Sequence, residues 1–176
     1  MTGCTRALGR LRFSIIAFSA GLLLSGCANL SGDNDRQPHG TAEVTAAYTR
    51  LGTAYLKNNN LPRATTALKH ALTADPHNAE ALQALALVYS RQGEIDQADA
   101  MFQKALTAAP EMTQARNNYA VFLYQQGHVT AACVEFERAA DDSHYAHRAQ
   151  LLDNLEQCQR QLSNSHATQL QNATSR

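Results

Sequence analysis

Residues of the same kind recur every 34 positions along the middle of this chain, and that recurrence constrains the fold more than any other feature. Ala64, Ala98 and Ala132 form one column, Leu68, Phe102 and Phe136 a second, and Ala71, Ala105 and Ala139 a third. Leu51, Leu85 and Tyr119 share another phase, as do Gly52, Ala86 and Ala120, and Tyr55, Tyr89 and Leu123. Pro76 and Pro110 close the first two periods, and Gly93 and Gly127 hold one turn position where the first period has Asn59. A fixed period of this length means stacked units, each burying its apolar face on the next. The small columns let two helix axes approach closely, and the large column fills the adjoining space. The spacing predicts first helices over about 43–57, 79–91 and 113–126, and second helices over about 61–74, 95–108 and 129–140. Asn78 is suited to cap the second unit and Pro62 to a first helical turn.

These columns resemble the tetratricopeptide repeat. The resemblance implies an all-α tetratricopeptide-repeat solenoid with three helix-turn-helix repeats over 42–146. The third unit lacks its closing proline and has His144 there, so 141–146 reads as an altered loop. A capping helix follows over 147–163, with Leu151, Leu155, Cys158 and Leu162 on one face. Residues 164–176 read as a polar, frayed tail.

In such a solenoid the first helices line a concave face. Counting positions from Thr45, Ala79 and Thr113 turns Thr49, Thr53 and Lys57 into that face from the first unit. The second contributes Glu80, Gln83, Leu87 and Arg91, and the third Gln114, Asn117, Val121, Tyr124 and Gln125. Amides around a few apolar anchors suit an extended or helical peptide. The face lacks the paired Lys and Asn of a carboxylate clamp, so a free C-terminal acid is not the expected target.

The N-terminus reads as an address. Arg6, Arg10 and Arg12 precede an apolar run from Phe13 to Leu24. Twelve residues are too few for a membrane span, which needs roughly 20, and fit a signal-peptide core instead. Leu24-Ser25-Gly26-Cys27 then resembles a bacterial lipobox. The resemblance implies a signal peptide over 1–26, acylation of Cys27 by lipid such as palmitate, and a flexible tether over 27–41. Ala28 follows the cysteine, not Asp, which by the same resemblance implies an outer-membrane anchor facing the periplasm of a Gram-negative bacterium.

Composition narrows the function. The chain has 176 residues, 15 basic and 15 acidic side chains, no Trp and 6% aromatics. Neither a basic patch nor stacking aromatics point to nucleic acid. P-loop, G-x-S-x-G, H-E-x-x-H and C-x-x-C patterns are missing. His144 and His147 do not make a metal site by themselves. The expectation is no enzyme activity, no cofactor, no metal and no small-molecule substrate. Cys4 leaves with the leader, and Cys27 would carry lipid. Cys133 lies one residue beyond the small Ala132 column, and Cys158 on the apolar face of the following helix. A disulfide and two buried thiols both fit that placement; the bond would close a loop of about 25 residues.

Two stretches are more specific. Asn117-Asn118-Tyr119-Ala120-Val121-Phe122-Leu123 resembles the N-N-Y-G-x-F-L signature of the PilF/PilW family of type IV pilus biogenesis lipoproteins. Tyr145, Asn154, Leu155 and Cys158 resemble that family's continuation. With the lipobox, the resemblance covers most of 24–160. It implies a pilotin: an outer-membrane adaptor that assists secretin assembly or localisation and takes a secretin subunit, or another envelope protein, as partner. Within the motif, Asn118 is expected to bond between helices. The chain departs from the family in having fewer repeats, Ala120 for the usual Gly, and Tyr124 where many members carry Cys. The rival reading is a lipoprotein scaffold or activator for cell-wall synthesis or another envelope assembly, built from the same repeats and anchor.

Overall fold

The computed structural model describes residues 36–174. The expected leader over 1–26, Cys27 and the tether up to residue 35 lie outside the described residues. Seven helices follow one another and no strand occurs among the described residues: α1 (Arg36–Lys57), α2 (Leu61–Ala74), α3 (Ala79–Gln92), α4 (Ile95–Ala108), α5 (Thr113–Gln125), α6 (Val129–Ala140) and α7 (Arg148–Thr174). The three predicted helix pairs are present, with boundaries within a residue or two except at the start of α1.

Local chemistry sets these boundaries. Asn60 Oδ1 accepts from the Arg63 N–H at 3.3 Å, and Asn78 Oδ1 from the Ala81 N–H at 2.9 Å. Each side chain thus satisfies an N–H that the first helical turn leaves open. Gly93 and Gly127 end α3 and the turn after α5 at φ of 78° and 81°, and Asn59 takes the equivalent place at 54°. Left-handed backbone of this kind favours Gly, and then Asn.

The columns become the core. Ala64, Ala98 and Ala132 are fully buried, as are Leu68, Phe102 and Phe136. Each odd helix pairs with the even helix after it, and α1, α3, α5 and α7 also touch in succession. The odd helices therefore form an inner layer and the even ones an outer layer. Phe102 reaches across the second junction, its ring 5.4 Å from those of Tyr119 and Phe122.

Gly52 shows why the small column is small. A Cβ built there would lie 2.5 Å from Leu68 Cγ, 2.7 Å from its Cδ2 and 3.3 Å from its backbone N. Ala86 and Ala120, at the same phase, are fully buried. Gly52→Ala is therefore expected to destabilise by about 1–3 kcal/mol, although alanine gains about 1 kcal/mol in helix propensity. Urea unfolding monitored by circular dichroism checks this. An unchanged or raised midpoint would mean that Leu68 swings aside at no cost.

Three expectations need correction. The tether expected to reach residue 41 is already helical from Arg36. Pro38 falls in the first turn, where a missing N–H costs no bond, and does not stop it. The polar tail expected over 164–176 is helical to Thr174. No Pro or Gly interrupts it, and Ser163, Ser165 and Thr168 turn their hydroxyls onto carbonyls of the preceding turn. Asn118 bonds along its own helix and not between helices, accepting from Gln114 Nε2 at 3.2 Å.

The altered loop after α6 replaces the missing proline with charge. Arg148 Nη1 donates to the carbonyls of Ala140 and Asp142. Asp142 accepts from Thr113 Oγ1 at 2.7 Å and from the His144 N–H at 2.9 Å. The Thr113 hydroxyl, helped by that N–H, holds the Asp142 carboxyl below its ordinary pKa. α7 then seats itself through Leu151 and Cys158, both fully buried, with Leu155 and Leu162 half-buried beside them. Cys133 and Cys158 are bonded, with Cα atoms 5.6 Å apart.

Candidate functional site

The inner layer carries the residues counted onto the concave face, and it divides into two clefts. At the N-terminal end, Thr49, Thr53 and Lys57 of α1 meet Glu80 of α3 around a cleft of about 310 Å³, with Arg50 and Ala54 completing its wall. At the C-terminal end, Val121, Tyr124 and Gln125 of α5 line a cleft of about 230 Å³ with Phe136 of α6 and Asn154 and Gln157 of α7.

Between the clefts the face has a polar floor. Gln83 is buried, and Leu87 is half-buried and packs on the core. Gln114 is held by two neighbours: its Nε2 donates to Asn118, and its Oε1 accepts from the Tyr145 hydroxyl at 3.0 Å. Burial raises the pKa of Tyr145, keeping it a neutral donor. The Oδ1 of Asn117 and the Oγ1 of Thr49 are buried without a hydrogen-bond partner. Buried polar atoms left so are costly, and both belong to the counted face.

Several counted residues do something other than face a partner. Thr49 is only 5% exposed, so it lies under the surface. Arg91 is exposed, yet its guanidinium Nη1 donates to the Leu56 carbonyl at 2.8 Å, closing the end of α1 from the next repeat. Tyr124 donates its hydroxyl to Gln161 Oε1, which ties α5 to α7. On the outer side, Tyr119 donates to Asp99 at 2.8 Å; burial, aided by that bond, pushes its pKa up to about 12.

Asn154, Gln157 and Gln161 were not anticipated at this face. Extending the 34-residue count to His147 would turn Leu151, Leu155 and Cys158 inward. Those residues instead pack into the core, with Cys158 bonded to α6. α7 is thus turned about its axis relative to α3 and α5, and presents amides where they present their counted positions. The rotation is signalled only by where the apolar residues of α7 fall. Among the described residues, no group of three or more His, Cys, Asp and Glu could hold a metal ion, and no helix is long and apolar enough to cross a membrane.

Two models of the tetratricopeptide repeat match residues 55–103 and 84–146, together more than half of the chain. The chain is a tetratricopeptide-repeat protein. Type IV pilus assembly protein PilF of Pseudomonas aeruginosa is 37% identical over 75 residues, 42% of this chain and 29% of PilF. A solved structure of Pseudomonas aeruginosa PilF superposes with a TM-score of 0.69 at 34% identity, over 70% of this chain and 56% of that one. PilW, described as a widely conserved type IV pilus biogenesis factor, gives 0.65 at 25% identity, over 69% and 56%. The resemblance carried by Asn117–Leu123 is therefore matched by similarity in both sequence and structure. The chain spans little more than half of each solved relative. The first tetratricopeptide domain of Spaghetti (RPAP3), solved with an HSP90 peptide, shares the fold at 16% identity, with a TM-score of 0.63 over 69% of this chain and 97% of that domain.

Proposed function

We propose that the chain is a non-catalytic adaptor in type IV pilus biogenesis. It is anchored to the outer membrane through acylated Cys27, faces the periplasm, and grips a peptide segment of a secretin subunit to assist assembly or localisation of the ring. The similarity to PilF and PilW supports the pathway. The observation that carries the mode of action is the inner face, where Leu87, Val121 and Tyr124 stand among Gln83, Gln114 and Asn117. Half-buried anchors among amides suit a peptide whose backbone or side chains pair with polar atoms such as the unpartnered Asn117 Oδ1. A lipid anchor would hold that face at the membrane and raise the local concentration of any bound subunit.

The test separates anchor from groove. Deleting the gene should lower heat-stable secretin multimer while monomer is still made, and surface pili should fall with it. A Cys27→Ala chain should bind the secretin but fail to place it. Leu87→Asp combined with Tyr124→Ala should lose binding at least tenfold and remain helical. Normal secretin multimer in the deletion strain, with no second pilotin present, would sink the reading.

A further inference from the structure

The two ends of the solenoid are built differently, and α1 ends it with an apolar face. In α3, Ala81, Leu82, Leu85, Val88 and Tyr89 are all buried. One period earlier, the same phase of α1 reads Ala47, Tyr48, Leu51, Ala54 and Tyr55. Among the described residues α1 packs only on α2 and α3. Tyr48 stacks on His70 and Tyr55 meets Arg63 at the α2 edge of this phase, while Ala47, Leu51 and Ala54 are exposed. Leu51 is 43% exposed, Tyr48 37%, and Val44, one turn before, 45%. The face has the pattern of one that receives a helix, and an exposed apolar stripe of this kind marks an interaction site.

We propose that this stripe is a self-association surface on which α1 of a second copy lies antiparallel, giving a twofold dimer. The stripe is complementary to itself in that orientation. A twofold axis between residues 47 and 48 sets Val44 against the second copy's Leu51, and small Ala47 against its Tyr48. Glu43 and Arg50 are exposed and seven residues apart, so they fall on one flank of the stripe. Antiparallel pairing brings Glu43 beside the second copy's Arg50 and repeats the contact across the axis. Parallel pairing would set like charges together instead. A head-to-tail stack of α1 on α7 finds no matching surface over 152–160, because that stretch of α7 exposes Asp153, Glu156, Gln159 and Arg160 around Leu152. The isologous contact closes at two copies, whereas the head-to-tail one would run on into a fibre.

The full chain carrying Ala47→Cys tests this, with Ala100→Cys on the exposed side of α4 as control. Under oxidation, position 47 should give a species of twice the monomer mass, joined 47 to 47 by mass spectrometry, and position 100 should not. Sedimentation equilibrium of the otherwise native chain should show the dimer. Glu43→Arg or Arg50→Glu alone should weaken it roughly tenfold, and the two together should restore it. Leu51→Asp should leave a monomer of unchanged helicity, since that side chain is outside the core. A chain monomeric at every concentration without the 47–47 bond would overturn the proposal. So would equal crosslinking from position 100, capture of a different polypeptide at position 47, or a double reversal no tighter than the single ones.

Discussion

Phe102→Ala should lower the thermal midpoint by roughly 6–20 °C, as about 3–5 kcal/mol is lost when a fully buried phenylalanine is truncated. Phe102 has no exposed surface and lies on α4, against the rings of Tyr119 and Phe122 on α5. It therefore fills its own repeat and also joins the second repeat to the third. In a solenoid, stability is close to a sum of units and their junctions, so one residue serving both should cost more than its volume alone implies. The transition should broaden as well, because the first two repeats are then less tightly coupled to the third. Leu152→Ala, at a site 41% exposed, serves as control and should shift stability by no more than about 0.5 kcal/mol. Far-ultraviolet circular dichroism during heating reads both. A loss below about 1 kcal/mol at Phe102 would mean that the junction collapses around the gap.

Phe102 was legible in the sequence because its role depends on period and size. Ala98, Phe102 and Ala105 recur one period away in both directions, and stacking requires each column to meet its neighbours in the same way. The same logic placed α2, α4 and α6 to the residue. Where the period fails, legibility fails with it. The last eleven residues of α7 have no apolar stripe, so nothing in their pattern distinguished a continued helix from a loose tail. The exposure of Leu51 follows from its place in the array and not its column, since among the described residues the repeat that precedes Leu85 has no counterpart for Leu51.

The candidate face was legible as a set of helices and less so as a set of atoms. Thr53, Lys57 and Glu80 meet at one cleft, as do Val121, Tyr124 and Gln125 at another. Which side chains stay free depends on distances between helices that no count of positions contains. Arg91 is drawn onto the Leu56 carbonyl 35 residues away, and Gln114 onto Tyr145. The amides of α7 join the face because its apolar residues turn it about its axis, a rotation that the repeat count contradicts.

Replacing Cys133 and Cys158 together with alanine should cost about 3 kcal/mol in the chain-entropy account, since the bond closes a loop with a sequence separation of 25. For a chain of this size that is roughly 6–12 °C in midpoint. The loss should be concentrated in α7. That helix packs mainly on α6, and among its described side chains only Cys158 and Leu151 are fully buried. Without the bond, α7 is expected to open before the three repeats do, uncovering Phe136 and Ala139, which are buried in the intact chain. Amide exchange should then quicken over 148–162 and in α6 while Leu68 and Phe102 stay protected. Because Val121 and Tyr124 share their cleft with Asn154 and Gln157, an open α7 also removes one wall of the candidate groove. Affinity for a bound peptide should fall together with cap stability, and not with the stability of the first two repeats. Uniformly faster exchange along the chain would show that α7 is no separate unit. Two free thiols in oxidised, folded protein would show that the bond does not form.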